Sequence, residues 1–140
     1  MYQKITVVGN LGRDPEMRYT PSGQAVTSFP VATNRTYTDS SGQRVKETMW
    51  FRVSTWGKLA ENCNNYLRKG SKVLVEGRLT GDTTTGGPRI WTRQDGTPGA
   101  SFEITASVIQ FLDSRSDSPA EMDDGIPGAG DHIPEDEIPF

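Results

Sequence analysis

Trp50, Trp56 and Trp91, with the cations beside them, are the residues whose types and spacing equip this chain to hold a ligand. The first two lie in the run Met49-Trp50-Phe51-Arg52-Val53-Ser54-Thr55-Trp56-Gly57. At a strand's period of two the run splits in two. Met49, Phe51, Val53 and Thr55 make a mostly apolar face suited to a core, and Trp50, Arg52, Ser54 and Trp56 make the other. Indoles on either side of a guanidinium offer flat rings for nucleobases to stack on and a charge for phosphate. The plainer alternative is a strand buried on both faces, with the indoles in a core. Arg52 argues against it, because a buried arginine needs a partner. Trp91 stands between Arg89 and Arg93 and repeats the pattern; its plainer role would be to cap one end of a core.

Residues for bond-breaking chemistry are scarce. One cysteine, Cys63, and one histidine, His132, exclude an intrachain disulfide and any metal site built from a Cys/His cluster. No nucleophile is spaced beside a base, and the carboxylates gather towards the C-terminus, where a fixed catalytic geometry is implausible. The chain is therefore expected to be no enzyme and to use no cofactor or metal. The rivals to a binder of nucleic-acid strands are a nuclease and an adaptor using only protein contacts, and an RNA-binding module is a third reading to separate from a DNA-binding one.

The elements that must position the tryptophans are readable from period and punctuation. Lys4 to Leu11 is β-rich and predicts a first strand, with Gly9 at a bulge or barrel corner. Pro21-Ser22-Gly23 predicts a turn into a second strand over Ala25 to Thr36, where Pro30 demands an edge, a bulge or a gap in the ladder. Asp39-Ser40-Ser41-Gly42 predicts the tip of a long hairpin leading into the tryptophan strand. After Gly57 the period changes: Leu59, Cys63, Tyr66 and Leu67 form one apolar stripe on a helix of about three turns, which places Cys63 and Tyr66 in the core. Arg68 and Lys69 complement the helix dipole and Gly70 stops it. Lys72 to Leu79 is a fourth strand, Gly81 to Pro88 a flexible loop, Arg89 to Arg93 with Asp95-Gly96 a hairpin arm, and Ser101 to Leu112 the closing strand. Three strands, a helix and two strands is the order of an all-β OB-fold, a five-stranded Greek-key barrel with its helix between strands three and four.

At 140 residues the chain has room for one domain. Residues 1–112 carry 14 Lys and Arg against 9 Asp and Glu, a net +5, whereas residues 113–140 carry one Arg against 9 acids, a net −8. The reading is a basic barrel over 1–112 and a disordered acidic tail over 113–140. No signal-peptide pattern or membrane-length apolar run occurs, so a soluble protein of the cytoplasm, without membrane contact, is expected. His132 lies in the tail, solvated. The tail's last residues are Ile133-Pro134-Glu135-Asp136-Glu137-Ile138-Pro139-Phe140, acidic and then apolar.

Taken together, these residues resemble the bacterial single-stranded DNA-binding protein family. Val8-Gly9-Asn10-Leu11-Gly12-Arg13-Asp14-Pro15-Glu16 with Arg18-Tyr19 is similar to its opening signature. Trp50-Phe51-Arg52-Val53, Trp56-Gly57-Lys58-Leu59-Ala60-Glu61 and Tyr66-Leu67-Arg68-Lys69-Gly70 are similar to its central block, and Val75-Glu76-Gly77-Arg78-Leu79 follows in place. The glycine-rich loop and the short tail depart from the usual pattern. The resemblance implies that Trp50, Trp56 and Trp91 stack on bases, with Tyr37 where the family often has another aromatic. It also implies a homotetramer, nucleoid-associated, that protects single-stranded DNA in replication, recombination and repair. Phosphate contacts are expected from Lys4, Arg35, Lys46, Arg52, Lys58, Lys72, Arg78 and Arg93; an ordinary solvated surface charge is the plain alternative for each. The tip, Glu135, Asp136, Glu137, Ile138, Pro139 and Phe140, is expected to dock replication and repair proteins.

Overall fold

Alternating apolar and polar residues lay down most of residues 1–113 as strand, and one change of period lays down their helix. The computed structural model describes residues 1–113. Its strands are β1 (Ile5–Leu11), β2 (Glu16–Tyr19), β3 (Ala25–Thr38), β4 (Arg44–Trp56), β5 (Lys72–Thr80), β6 (Ile90–Thr92), β7 (Pro98–Ala100) and β8 (Phe102–Phe111), and its helix α1 is Lys58–Tyr66. Strand order is β1-β5-β8-β4-β3-β2, and β1 pairs again with β3 to close the sheet. The β4–β8 pair is parallel and the others are antiparallel. Strands β1, β3, β4, β5 and β8 are the five of the OB barrel, with α1 between the third and fourth, as the sequence predicts.

The barrel interior is filled by Leu11, Phe29, Val31, Val53, Val73, Val75 and Ile104, and Cys63 of α1 with Leu67 just after it closes one end. Two buried polar side chains are satisfied across that junction. The Thr27 hydroxyl donates to the Ala60 carbonyl of α1 at 2.7 Å, and the Thr55 hydroxyl donates to the Thr27 carbonyl at 3.0 Å. Burial raises the Cys63 thiol to about 11, a bond with Thr55 pulling the other way.

Closure rests on a short seam, Asn10↔Ala32 and Leu11↔Val31. Gly9 sits beside it: a Cβ there would lie 2.1 Å from the Ala32 carbonyl oxygen. The glycine is needed for the approach of two backbones, at the barrel corner the sequence predicts. Pro30 falls where the neighbour of β3 changes from β2, ending at Glu16↔Ser28, to β1, beginning at Leu11↔Val31. Its carbonyl points to that side, accepting the Gly12 N–H at 3.0 Å. Its nitrogen therefore faces the gap and no β4 bond is lost, which is how an interior strand tolerates a proline.

Two placements need correction. Met49 is 46% exposed rather than part of the core face. The β3–β4 ladder runs on to Thr38↔Arg44, whereas β1 reaches β3 only as far as Ala32, so Met49 lies on a hairpin that projects past the barrel. Tyr66 is 70% exposed, its ring against Phe111. Helix α1 ends at Tyr66 and Leu67 turns extended, so Leu67 alone enters the core from that turn. Gly81 to Pro88 is a bonded loop: Asp82 N–H donates to the Gly87 carbonyl at 2.9 Å, and the Asp82 carboxylate accepts the Thr84 N–H at 2.7 Å. Arg68, just past the helix, donates to the Leu67 carbonyl at 2.7 Å, but no basic residue lies in the last turn, and the chain leaves the helix at Leu67, before Gly70 is reached.

Candidate nucleic-acid interface

Register decides which side chains share the outer face of β3 and β4. Directly opposed residues of an antiparallel pair project to the same side. The outward pairs are Val26↔Trp56, Ser28↔Ser54, Pro30↔Arg52, Ala32↔Trp50 and, on the projecting hairpin, Asn34↔Thr48, Thr36↔Lys46 and Thr38↔Arg44. Each bulky or charged group of β4 is thus set against a small or compact residue of β3. The β3 side chains beside the indoles are small, and Trp50 stays partly and Trp56 44% exposed.

A groove of about 860 Å³ lies over this floor, lined among others by Arg13, Ser28, Pro30, Trp50, Arg52 and Trp91. The structure brings Trp50, Arg52 and Trp91 together there. Trp56, 44% exposed, continues the same face of β4 towards α1, and Lys46 continues it towards the hairpin tip. Arg13 joins the groove although the sequence did not single it out. It follows the break Gly12-Arg13-Asp14-Pro15, and the Asp14 carboxylate, accepting the Lys69 N–H at 2.8 Å, ties that bend to the turn after α1.

Arg35 and Tyr37 lie elsewhere. Their partners are Glu47 and Val45, in phase with the core pair Phe29↔Val53 and out of phase with the tryptophans. They occupy the opposite face of the hairpin, where the Arg35 guanidinium stands 4.7 Å from the Tyr37 ring centre. The Tyr37 hydroxyl donates to Glu47 at 3.2 Å, and that carboxylate raises the phenol above its usual range by its charge first and its hydrogen bond second.

The other candidate cations are dispersed. Lys4 is 3.2 Å from Glu76 and, with Arg78, lines a separate groove of about 450 Å³ at the β5 side. Lys58 opens α1, 3.8 Å from Glu61. Lys72 sits on β5 opposite Asn10 of β1. Arg93 is turned back on its own arm, donating to the Pro98 carbonyl. Glu135, Asp136, Glu137, Ile138, Pro139 and Phe140 lie outside the described residues, as does His132.

The arm that carries Trp91 is a two-stranded sheet of its own, β6 with β7, paired Trp91↔Gly99. Gly99 is buried, and a Cβ on it would lie 2.7 Å from the Trp91 Nε1, so the indole rests on bare backbone. Among the described residues no three of His, Cys, Asp or Glu are grouped to hold a metal, and no helix is long and apolar enough to cross a membrane.

Residues 2–112 match the profile of the Single-strand binding protein family. A single-stranded DNA-binding protein of Wolinella succinogenes is 42% identical over 118 residues, 84% of this chain and 68% of that one. Another, of Neisseria meningitidis serogroup A, is 39% identical over 115 residues, 82% of this chain and 62% of that one. The match thus spans less than two thirds of the Neisseria protein. Among solved structures, the Plasmodium falciparum SSB in complex with ssDNA superposes with a TM-score of 0.67 at 28% identity, over 81% of this chain and 97% of that one. A deletion mutant of the single-stranded DNA binding protein from Thermus aquaticus gives 0.62 at 31% identity, over 80% of this chain and 51% of that one.

Proposed function

This chain belongs to the single-strand binding protein family, and we propose that its groove binds single-stranded DNA without reading sequence. The observation that carries the reading is the meeting of Trp50, Arg52 and Trp91 in one open groove on the β3–β4 face. Rings accept any base, and the cations displace counterions from phosphate. No step of chemistry on the strand is needed. The same face could hold single-stranded RNA. DNA is preferred as the reading because the relatives are named for it, and one solved relative is a complex with it.

The test is a titration with oligo-dT, the same strand as duplex, and oligo-U of equal length, at three salt concentrations, with light scattering for subunit number. Oligo-dT should quench tryptophan fluorescence, bind far more tightly than duplex, and weaken as salt rises. A tetramer is expected throughout, and no cleavage should occur with added divalent metal. Duplex bound as tightly as single strand would sink the proposal.

The tail extends the same reading to the protection and processing of DNA in replication, recombination and repair. An acidic segment of −8 joined to a basic barrel of +5 competes weakly for the groove at low salt, and is released when DNA fills it. Ile138 and Phe140 would then enter an apolar pocket on a partner, with Glu135, Asp136 and Glu137 on its basic rim. A chain ending at Pro134 should bind DNA as before, or slightly more tightly at low salt, and should lose capture of replication and repair proteins. Unchanged capture would remove the docking role from the tip.

A further inference from the structure

The excursion from β5 to β8 leaves the barrel at Thr80 and re-enters it at Phe102. Its arm is rigid in itself: Trp91 lies on Gly99, Arg93 donates to the Pro98 carbonyl, and the tip is closed by Asp95, which accepts the Thr97 N–H at 3.0 Å. Yet β6 and β7 form no ladder with the barrel strands. Covalent continuity into β8 fixes one corner of the arm, and the bonded loop from Gly81 to Pro88 leads to the other. Something at the other corner must decide where the Trp91 indole stands relative to Trp50.

That corner is Arg89, the residue before β6. Its Nε is 3.7 Å from Glu103 Oε2 on β8. Glu103 lies in register between Arg52 of β4 and Thr80 of β5, on the strand row where the excursion begins. Its side chain is 16% exposed, and its Oε2 is buried with no hydrogen-bond partner among the described residues. A buried carboxylate oxygen short of donors attracts whichever cation can reach it. Arg89 is placed to do so. It also faces Asp82, whose carboxyl is held low first by the Thr84 N–H and in smaller part by this guanidinium.

Resting on the reading of the groove as a single-strand site, we infer that Glu103 is a positioning residue: through Arg89 it latches the arm and sets Trp91 over the groove. An acid beside Arg52 in a surface for a polyanion is otherwise a liability. Plain electrostatics therefore says that removing its charge tightens DNA binding. The latch says the opposite, because an arm that swings costs the ligand the ordering of one stacking ring.

The opposed signs make the test. The protein is labelled with 5-fluorotryptophan, and the three fluorine resonances are assigned with Trp91→Phe, Trp50→Phe and Trp56→Phe. Glu103→Gln should shift or broaden the Trp91 resonance in the free protein and leave the other two in place. Arg89→Gln should do the same, and serves if Glu103→Gln folds poorly. For oligo-dT, Glu103→Gln should weaken binding about tenfold, the scale of one compromised stack. It should weaken it no further when Trp91 is already alanine, and the swap Arg89→Glu with Glu103→Arg should restore most of the loss. Tighter or unchanged binding, or an equal loss in the Trp91→Ala background, overturns the latch. An unmoved Trp91 resonance overturns it without reference to DNA. Failure of the groove to bind DNA at all leaves that fluorine result standing, so the two failures are distinct.

Discussion

Alanine at both Trp50 and Trp56 is expected to weaken oligo-dT binding by between about 30-fold and 10⁴-fold. A base stacked on an aromatic side chain contributes about 1–3 kcal/mol, so two lost rings remove about 2–6 kcal/mol. The fold should survive. Both indoles stand on the outer face of β4, while Phe51, Val53 and Thr55, which alternate with them, hold the core. Trp56 does cover part of its neighbourhood, since its cross-strand partner Val26 is only 5% exposed, so a loss of about 1 kcal/mol of stability is expected there. Circular dichroism should be unchanged, and so should the slope of affinity against salt, because rings neutralise no phosphate. Arg52→Ala should behave in the converse way, lowering the slope by about 0.7, one phosphate on a single strand. A double tryptophan variant that binds within threefold of the parent at every salt concentration would mean that the β4 face is not where the bases lie.

Gly9→Ala should unfold the barrel from its seam, lowering the melting midpoint by more than about 10 °C, or about 3 kcal/mol or more. Its Cβ would lie 2.1 Å from the Ala32 carbonyl oxygen and 2.9 Å from Val31 Cγ1. The first of these is backbone and cannot rotate away. The seam it disrupts has only two register pairs, so a displaced β1 has little else holding it to β3. Gly42→Ala is the control. It sits at the hairpin tip with φ of +85° and nothing within 4 Å of the new carbon, so only backbone strain is added, about 1 kcal/mol. Equal losses in the two variants would show that crowding at the seam is not what Gly9 relieves.

Much of this was legible beforehand, for identifiable reasons. The OB order follows from two changes of period, strand to helix after Gly57 and back at Lys72. The tryptophan face of β4 follows from parity alone. Parity does not say where the barrel stops, and so it extends to Met49 a core face that ends at Phe51. It could have separated Tyr37 and Arg35 from Lys46, but only with the hairpin register known. Helical spacing put Tyr66 on the apolar stripe because it could not see that the helix ends there. The roles of Arg13, Gly99 and Glu103 depend on which distant segments fold against them: a bend after β1, an indole across a ribbon, an arginine 14 positions earlier in the chain. Local sequence has no signal for these.

The chain's one thiol has a consequence for how the molecule ages and how it can be handled. Cys63 is fully enclosed and its thiol is raised to about 11. At neutral pH only about one part in 10⁴ is thiolate, and no reagent reaches it without opening the helix end of the barrel. Copies of the protein under oxidising conditions therefore cannot be stapled to one another through sulfur. A cysteine introduced at any surface position becomes the only handle a maleimide dye will find.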